Sequence, residues 1–425
     1  MNTTALIKNI NEGKYNQVLS ELYGKESLES QKNRYIQALQ KFEQLYPGSE
    51  AVNIFSAPGR TEICGNHTDH QHGCVLAAAV NLDAIAVVSF HEERVIRLQS
   101  AGYSEEYIEL SDMTIHSEEI GTTAALVRGM AAQFINQGVE VGGFNAFVTS
   151  DVLGGSGLSS SAAFEVLIGT IIDRHYNDGK AGAVEIAKMG QFTENQYFGK
   201  QSGLMDQMVS SVGGFVYIDF ANVTNPVIEK HSCDFETEGL HLFITDTKGS
   251  HADLTDDYVS VPSEMNLVAA QFGKMCLRDV AEEEFYENLP QLRSSCTDRA
   301  ILRAAHYYAD NARVSMEVEA LDQKNISRFL ELVNESGNSS ARLLQNLYST
   351  RKPSEQGIPL GLMESERVLK KAGACRVHGG GFAGTIQAFV PNELADSYSA
   401  AMNRLFGADS CYKLHIREAG GVQVI

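Results

Sequence analysis

The sequence predicts an α+β fold: mixed sheets with helices packed against them. Two observations carry this. Helical and extended patterns mix in both halves of the chain, which suits layered α+β packing rather than a doubly wound sheet. In addition, residues 143–172 read as a strand, a Gly/Ser loop and a helix in succession. Gly143 to Val148 alternates apolar and polar residues, Gly154 to Ser161 is rich in glycine and serine, and Ala162 to Ile172 is helical in pattern. At 425 residues the chain is better divided in two than packed as one unit, and a hydrophobic share of 43% is ample for a core.

Taken in order, residues 1–28 are polar and weakly amphipathic, and are expected to form a helical N-terminal extension. Tyr35, Leu39, Phe42 and Tyr46 recur at helical spacing, and Pro47-Gly48 stops that helix. Val52 to Phe55 reads as a short strand ending in a turn at Ala57-Pro58-Gly59-Arg60, and Val75 to Phe90 as strand-rich core. Beyond the Gly/Ser loop, Ala183–Tyr197 and Gly203–Val212 read as helices, Gly213-Gly214 as a turn and Phe215 to Ile218 as a strand. The boundary is placed there, giving an N-terminal domain over 29–214 and a C-terminal domain over 215–425. The second half carries long helices, Asp298–Ala320 and Ile326–Leu347. It then holds a Gly-rich segment, Val377 to Gly384, before the apolar stretch Thr385–Val390. No internal repeat or low-complexity tract is found.

The net charge of −20 argues against nucleic acid or an anionic membrane as a partner, although a glycine loop and local cations can still hold a small phosphorylated ligand. The 7 cysteines include no Cys-x-x-Cys pair and are odd in number, so reduced thiols and a cytoplasmic location are expected. No secretory signal and no membrane-spanning stretch are read from the sequence.

Three motifs carry chemistry. The first is Gly59-Arg60-Thr61-Glu62-Ile63-Cys64-Gly65-Asn66-His67-Thr68-Asp69-His70. The second is Gly154-Gly155-Ser156-Gly157-Leu158-Ser159-Ser160-Ser161-Ala162-Ala163. Its backbone N–H groups and the following helix N-terminus suit a phosphate, yet it lacks the Lys of a Walker A loop and the third Gly of a dinucleotide fingerprint. The third joins Glu194 to Gly203-Leu204-Met205-Asp206-Gln207. His67, Asp69, His70 and His72 put four potential ligands in six residues, but their spacing fits neither a helical His pair nor a Cys/His finger. Sugar contacts by His67 and Asp69 are the preferred reading over Zn²⁺.

From about Phe42 onward the chain resembles the GHMP kinase superfamily, and within it the galactokinases. Their sugar motif reads Gly-Arg-x-Asn-Leu-Ile-Gly-Glu-His-Thr-Asp-Tyr, their phosphate loop ends Gly-Leu-Ser-Ser-Ser-Ala, and their third block reads Gly-Ile-Met-Asp-Gln. Gly379-Gly380-Gly381-Phe382-Ala383-Gly384 matches their last Gly-rich motif. The resemblance implies a two-domain GHMP kinase fold with the active site between the domains, ATP and Mg²⁺ as cofactors, and galactose as acceptor.

Carried over residue by residue, Asp206 accepts the proton of the anomeric hydroxyl, and Arg60 beside it stabilises charge on the attacking oxygen. Asp69 binds ring hydroxyls with Tyr258 across the sugar, Asn66 and His67 face the C6 substituent, and Gly203 joins the substrate contacts. Gly154, Gly155, Ser156, Gly157, Leu158, Ser159, Ser160, Ser161 and Ala162 hold ATP. Ser160 or Ser161, with Glu194, holds Mg²⁺. A sugar and MgATP are the implied partners, with a monomer or weak homo-oligomer as the expected state.

The chain departs from the pattern at the sugar. Asn66 replaces the family's Glu, His70 its Tyr, Glu62 its Asn and His378 a Thr, while Val259-Ser260-Val261-Pro262 replaces the basic residues after the Tyr. Asn is neutral and both donates and accepts. Two substrate readings follow: galactose with Asn66 holding O6, or a sugar that differs at C6, namely galacturonate or L-arabinose. A catalytically silent sugar sensor is the reading from another class. The presence of Ser159 to Ala162, Arg60 and Asp206 favours an active enzyme.

Overall fold

The computed structural model describes residues 1–152, 157–250 and 253–425. It opens with three helices, α1 (Thr3–Asn11), α2 (Asn16–Tyr23) and α3 (Leu28–Leu45). The Asn2 side chain caps α1 by accepting the Ala5 N–H at 3.0 Å. Along α3 the spacing of Tyr35, Leu39 and Phe42 puts all three on one buried face.

Among the described residues twelve strands are then interleaved with helices: β1 (Asn53–Cys64), β2 (Cys74–His91), β3 (Val95–Ser100), β4 (Glu105–Glu109), α4 (Thr123–Asn136) and β5 (Gly143–Ser150). The chain continues through α5 (Ser160–Tyr176), α6 (Gly182–Thr193), α7 (Met205–Val212), β6 (Phe215–Asp219), β7 (Val227–His231), β8 (Leu240–Asp246) and α8 (Thr255–Ala270). Two short helices, α9 (Glu282–Glu287) and α10 (Leu289–Ser295), precede the long α11 (Asp298–Asp322) and α12 (Ile326–Ser339). The last elements are α13 (Gly357–Leu369), β9 (Ala374–Val377), β10 (Thr385–Pro391), α14 (Ala395–Phe406), β11 (Cys411–Leu414) and β12 (Val422–Gln423).

The strands form two sheets. The larger runs β12-β1-β2-β5-β3-β4, with β6 paired to the first half of β2 and β7 to β6; the smaller runs β11-β8-β10-β9 and is antiparallel throughout. The strand alternation divides the large core. Ala84, Ala86 and Val88 of β2 face α4, α5 and α6, while Ile85 and Val87 face the N-terminal helices. In the smaller sheet Phe243, Ile386 and Ala388 pack on α13 and α14. Its other face, with Leu242, Ile244 and Phe389, meets Phe329 and Leu332 of α12 and residues of the larger sheet.

Two expectations are corrected. The segment Ala57–Arg60 is not a turn but the middle of β1; the register against β2 slips between Pro58 and Arg60, a bulge that lets a proline sit inside a sheet. Here the Arg60 N–H leaves the ladder and donates to Leu158 O at 3.1 Å. The division at residue 214 cuts the larger sheet, because β6 and β7 belong to it, and the chain returns to it again with β12. The smaller sheet is built only from residues 240–414. All seven cysteines are free thiols, and among the described residues no helix is long and apolar enough to cross a membrane.

Candidate active site

The site forms where β1 and the loop after it meet α7, the head of α5 and the turn between β9 and β10. The bulge in β1 aims Arg60 at the start of α7. Its Nε donates to Asp206 Oδ1 at 2.8 Å and its Nη2 to the same oxygen at 2.6 Å, while Nη1 donates to the Gly157 carbonyl. Ser159 donates from Oγ to Asp206 Oδ2. Ser159 stands at φ 57, a left-handed backbone uncommon outside glycine, which turns the chain from the loop into α5. Asp206 therefore has both oxygens oriented, one from β1 and one from the loop before α5, and remains 29% exposed.

The expected sugar residues do not all converge. A Cβ placed on Gly203 would stand 3.3 Å from Asp69 Oδ2, so the approach to α7 and the loop after β1 come close through Asp69. His67, at φ 62, places Nε2 at 3.0 Å from Gly380 O. Burial, then neighbouring His70, holds the His67 imidazole well below its usual pKa, so the neutral ring donates from Nε2 and keeps Nδ1 as acceptor. Tyr258 of α8 donates to Gly381 O at 2.8 Å and meets Phe382 edge-on at 5.4 Å, bracing the Gly-rich turn. Asn66 turns inward, contrary to its expected place at the sugar. Its Nδ2 donates to Glu62 Oε1 and Gly379 O, and its Oδ1 accepts from Asn346. Among the described residues no His/Cys/Asp/Glu group of three converges on a metal position.

At the head of α5, Ser161 reaches Glu194: Oγ donates to Oε1 at 2.9 Å. Glu194 closes α6, where a π-turn over Glu194–Phe198 swings the chain back, and it is 2% exposed. Its Oε1 also carries the Lys200 ammonium at 2.8 Å, and its Oε2 accepts from Gln207 at 3.0 Å. Ser160 and Ser161 line a cavity of about 510 Å³ together with Tyr103, Leu126, Val152, Phe164 and Phe198. Leu158 and Ala162 are buried in the core beneath. Gly154, Gly155 and Ser156 lie outside the described residues.

The sequence reading missed the frame behind the loop after β1. His306 and Asp310, four apart on α11, clamp Asn66: Asp310 accepts its N–H at 3.0 Å, and the His306 Nε2–H donates to its carbonyl at 2.9 Å. That i, i+4 polar pair on an otherwise core-facing helix was the available signal. Arg376 of β9 donates to Ile63 O and, at 3.3 Å, to Glu62 Oε1. Burial raises the Glu62 carboxyl above its ordinary range against the opposing pull of Arg376. His378 is a buried relay. Its Nε2 lies 3.0 Å from Thr61 Oγ1, which also accepts from Gln387, and its Nδ1 lies 2.8 Å from Thr385 Oγ1. Burial pushes its pKa down to about 3 and keeps the ring neutral.

The Gly-rich turn has little tolerance. Gly381 has φ +77, and an added Cβ would lie 2.2 Å from Asn346 O. Gly381→Ala is expected to raise KM for the small-molecule acceptor at least tenfold, with a smaller effect on the phosphate donor, because the turn carries the carbonyls that hold His67 and Asn66. Steady-state kinetics with each substrate varied checks this; equal KM changes for both would contradict it.

The galactokinase galactose-binding signature matches residues 40–90, and the GHMP kinase N-terminal domain matches residues 125–214. Among solved structures the chain is similar to Lactococcus lactis galactokinase, determined in complex with galactose. The TM-score is 0.75 at 23% identity, covering 90% of this chain and 98% of that one. It is also similar to Methanococcus jannaschii mevalonate kinase, with TM-score 0.61, 16% identity, and 86% and 99% of the two chains covered. A D-glycero-D-manno-heptose 1-phosphate kinase from Bacteroides thetaiotaomicron gives TM-score 0.59 and 16% identity over 88% and 98%.

Proposed function

We propose that this chain, a GHMP-fold carbohydrate kinase carrying the galactokinase galactose-binding signature, transfers the γ-phosphoryl group of ATP to the anomeric hydroxyl of galactose. The observation that carries the reading is Asp206, held by Arg60 from the sugar strand and by Ser159 from the phosphate loop. One carboxylate is thus shared by the two segments to which this reading assigns the acceptor hydroxyl and the donor phosphate. The anomeric oxygen attacks the γ-phosphorus, the bond to the β-phosphate oxygen breaks and ADP leaves. The hydroxyl proton passes to Asp206. Arg60 stabilises negative charge on the attacking oxygen, and the N–H groups at the head of α5 face the phosphates. Asp69 and the free Nδ1 of His67 are the hydroxyl-binding groups, and the cavity lined by Tyr103, Phe164 and Phe198 takes the nucleotide.

Ser161 and Glu194 would hold Mg²⁺. The donors fit a hard cation, since both are oxygens 2.9 Å apart, and the Lys200 ammonium on Glu194 shows that the buried carboxylate accepts a positive charge there. When bound, the ion offsets phosphate charge. Ser160, which opens on the cavity beside Ser161, is left as a phosphate contact. Assembly of Asp206, Arg60 and Ser159 favours an active enzyme over a silent sensor.

The test is ADP release with MgATP against galactose, galacturonate, L-arabinose, glucose and N-acetylgalactosamine. Galactose is expected to give the highest kcat/KM. Preference for galacturonate or arabinose would overturn the galactose assignment, and ADP release without dependence on any sugar would overturn the kinase reading.

A further inference from the structure

We infer that Glu62 is the carboxylate that reads the sugar in this pocket and selects a neutral hexose over a hexuronic acid, with Asn66 serving to position it; this rests on the sugar-kinase reading above. The Asn66 side chain has no capacity left for a ligand. Both Nδ2 hydrogens are donated, to Glu62 Oε1 at 2.8 Å and to Gly379 O at 2.7 Å. Its Oδ1 accepts from Asn346 Nδ2 at 2.8 Å and Ser340 Oγ at 3.4 Å, and the residue is 0% exposed.

Glu62 is arranged differently. Both of its side-chain contacts, from Asn66 Nδ2 and Arg376 Nη2, fall on Oε1. Oε2 has no hydrogen-bond partner among the described residues, yet it is not one of the buried polar atoms sealed away without one, so it keeps some access and is free to accept. The charges of Arg60 and Asp69 both act on the Glu62 carboxyl, the first favouring its ionised form and the second opposing it. Strand alternation agrees: across the unbroken register Arg60–Glu62, residues 60 and 62 share one face of β1. An acceptor fixed there takes a hydroxyl hydrogen of the bound sugar. A sugar carboxylate would instead meet like charge, with no free Asn66 N–H to offset it.

Glu62→Gln removes the charge at nearly constant shape. Galactose and galacturonate kinetics with MgATP are compared in wild type and variant, with the thermal melt as a folding control. The expected result is a KM for galactose raised about tenfold with kcat within threefold, and a galacturonate-to-galactose ratio of kcat/KM raised at least tenfold. An unchanged ratio in a folded variant overturns the Glu62 assignment and leaves the kinase reading intact. Wild-type protein that turns over no sugar overturns both. If Glu62→Gln does not fold, Glu62→Asp carries the test, because it keeps the charge but withdraws the oxygen. A KM for galactose raised fivefold or more at unchanged ATP KM supports the assignment, and an unchanged KM overturns it.

Discussion

Asp206→Asn is expected to lower turnover on the preferred sugar by roughly a thousandfold, while sugar and ATP dissociation constants stay within a few-fold. The substitution leaves the geometry largely in place. An amide oxygen still accepts from Arg60 Nε and Nη2, which lie 2.8 and 2.6 Å from Oδ1. What the amide cannot do is take a proton from the attacking hydroxyl. Loss of kcat with binding retained would separate proton acceptance from sugar positioning. Coupled ADP release and titration calorimetry check the two halves. Turnover within tenfold of wild type would remove Asp206 from the chemistry.

Asp83→Asn is expected to destabilise the fold by on the order of 3–5 kcal/mol, because it leaves the fully buried Arg417 guanidinium without its counter-charge and the partly buried Arg34 with Asp151 alone. Asp83 is 0% exposed and joins four separate parts of the chain. Arg34 of α3 donates at 2.6 Å, Arg417 of the C-terminal segment at 3.0 Å, Tyr23 of α2 at 2.6 Å, and Ser56 of β1 also donates. The N-terminal helices are thereby tied to the large sheet. Burial alone would raise this carboxyl; Arg34 and Arg417 outweigh it and hold it below the usual carboxylate range. A carboxyl with a depressed folded pKa contributes stability above its unfolded value of about 4, and that contribution is lost as pH falls through the folded value. The gap between wild type and variant in urea unfolding is therefore expected to be full at pH 7 and to shrink below about pH 4. A gap under 1 kcal/mol at pH 7, or one independent of pH, would contradict this role.

The meeting of Arg60, Ser159 and Asp206 was legible in the sequence because these residues lie in short contiguous motifs whose local geometry is set by glycine, a helix start and strand alternation. Arg60, Ser159 and Asp206 come from three such motifs and converge. Ser161 and Glu194 do the same. The surroundings of Asn66 were less legible. Whether Asn66 faces the ligand or the protein depends on what stands behind it, and Asn346, His306, Asp310 and Arg376 are 240 or more residues away in sequence. The turn expected at Ala57–Arg60 reflects the ordinary reading of Pro-Gly, which the bulge overrides. The boundary near residue 214 followed the Gly213-Gly214 turn, but a glycine pair marks a chain reversal within a sheet as readily as a passage between sheets.

The most direct measurement of the central claim is the position of phosphate on the product. After incubation with MgATP and galactose, ³¹P and ¹H NMR should show one new phosphate ester coupled to the anomeric proton, formed by wild type and essentially absent with Asp206→Asn. Phosphate on another hydroxyl, or inorganic phosphate released with the sugar unchanged, would contradict the account.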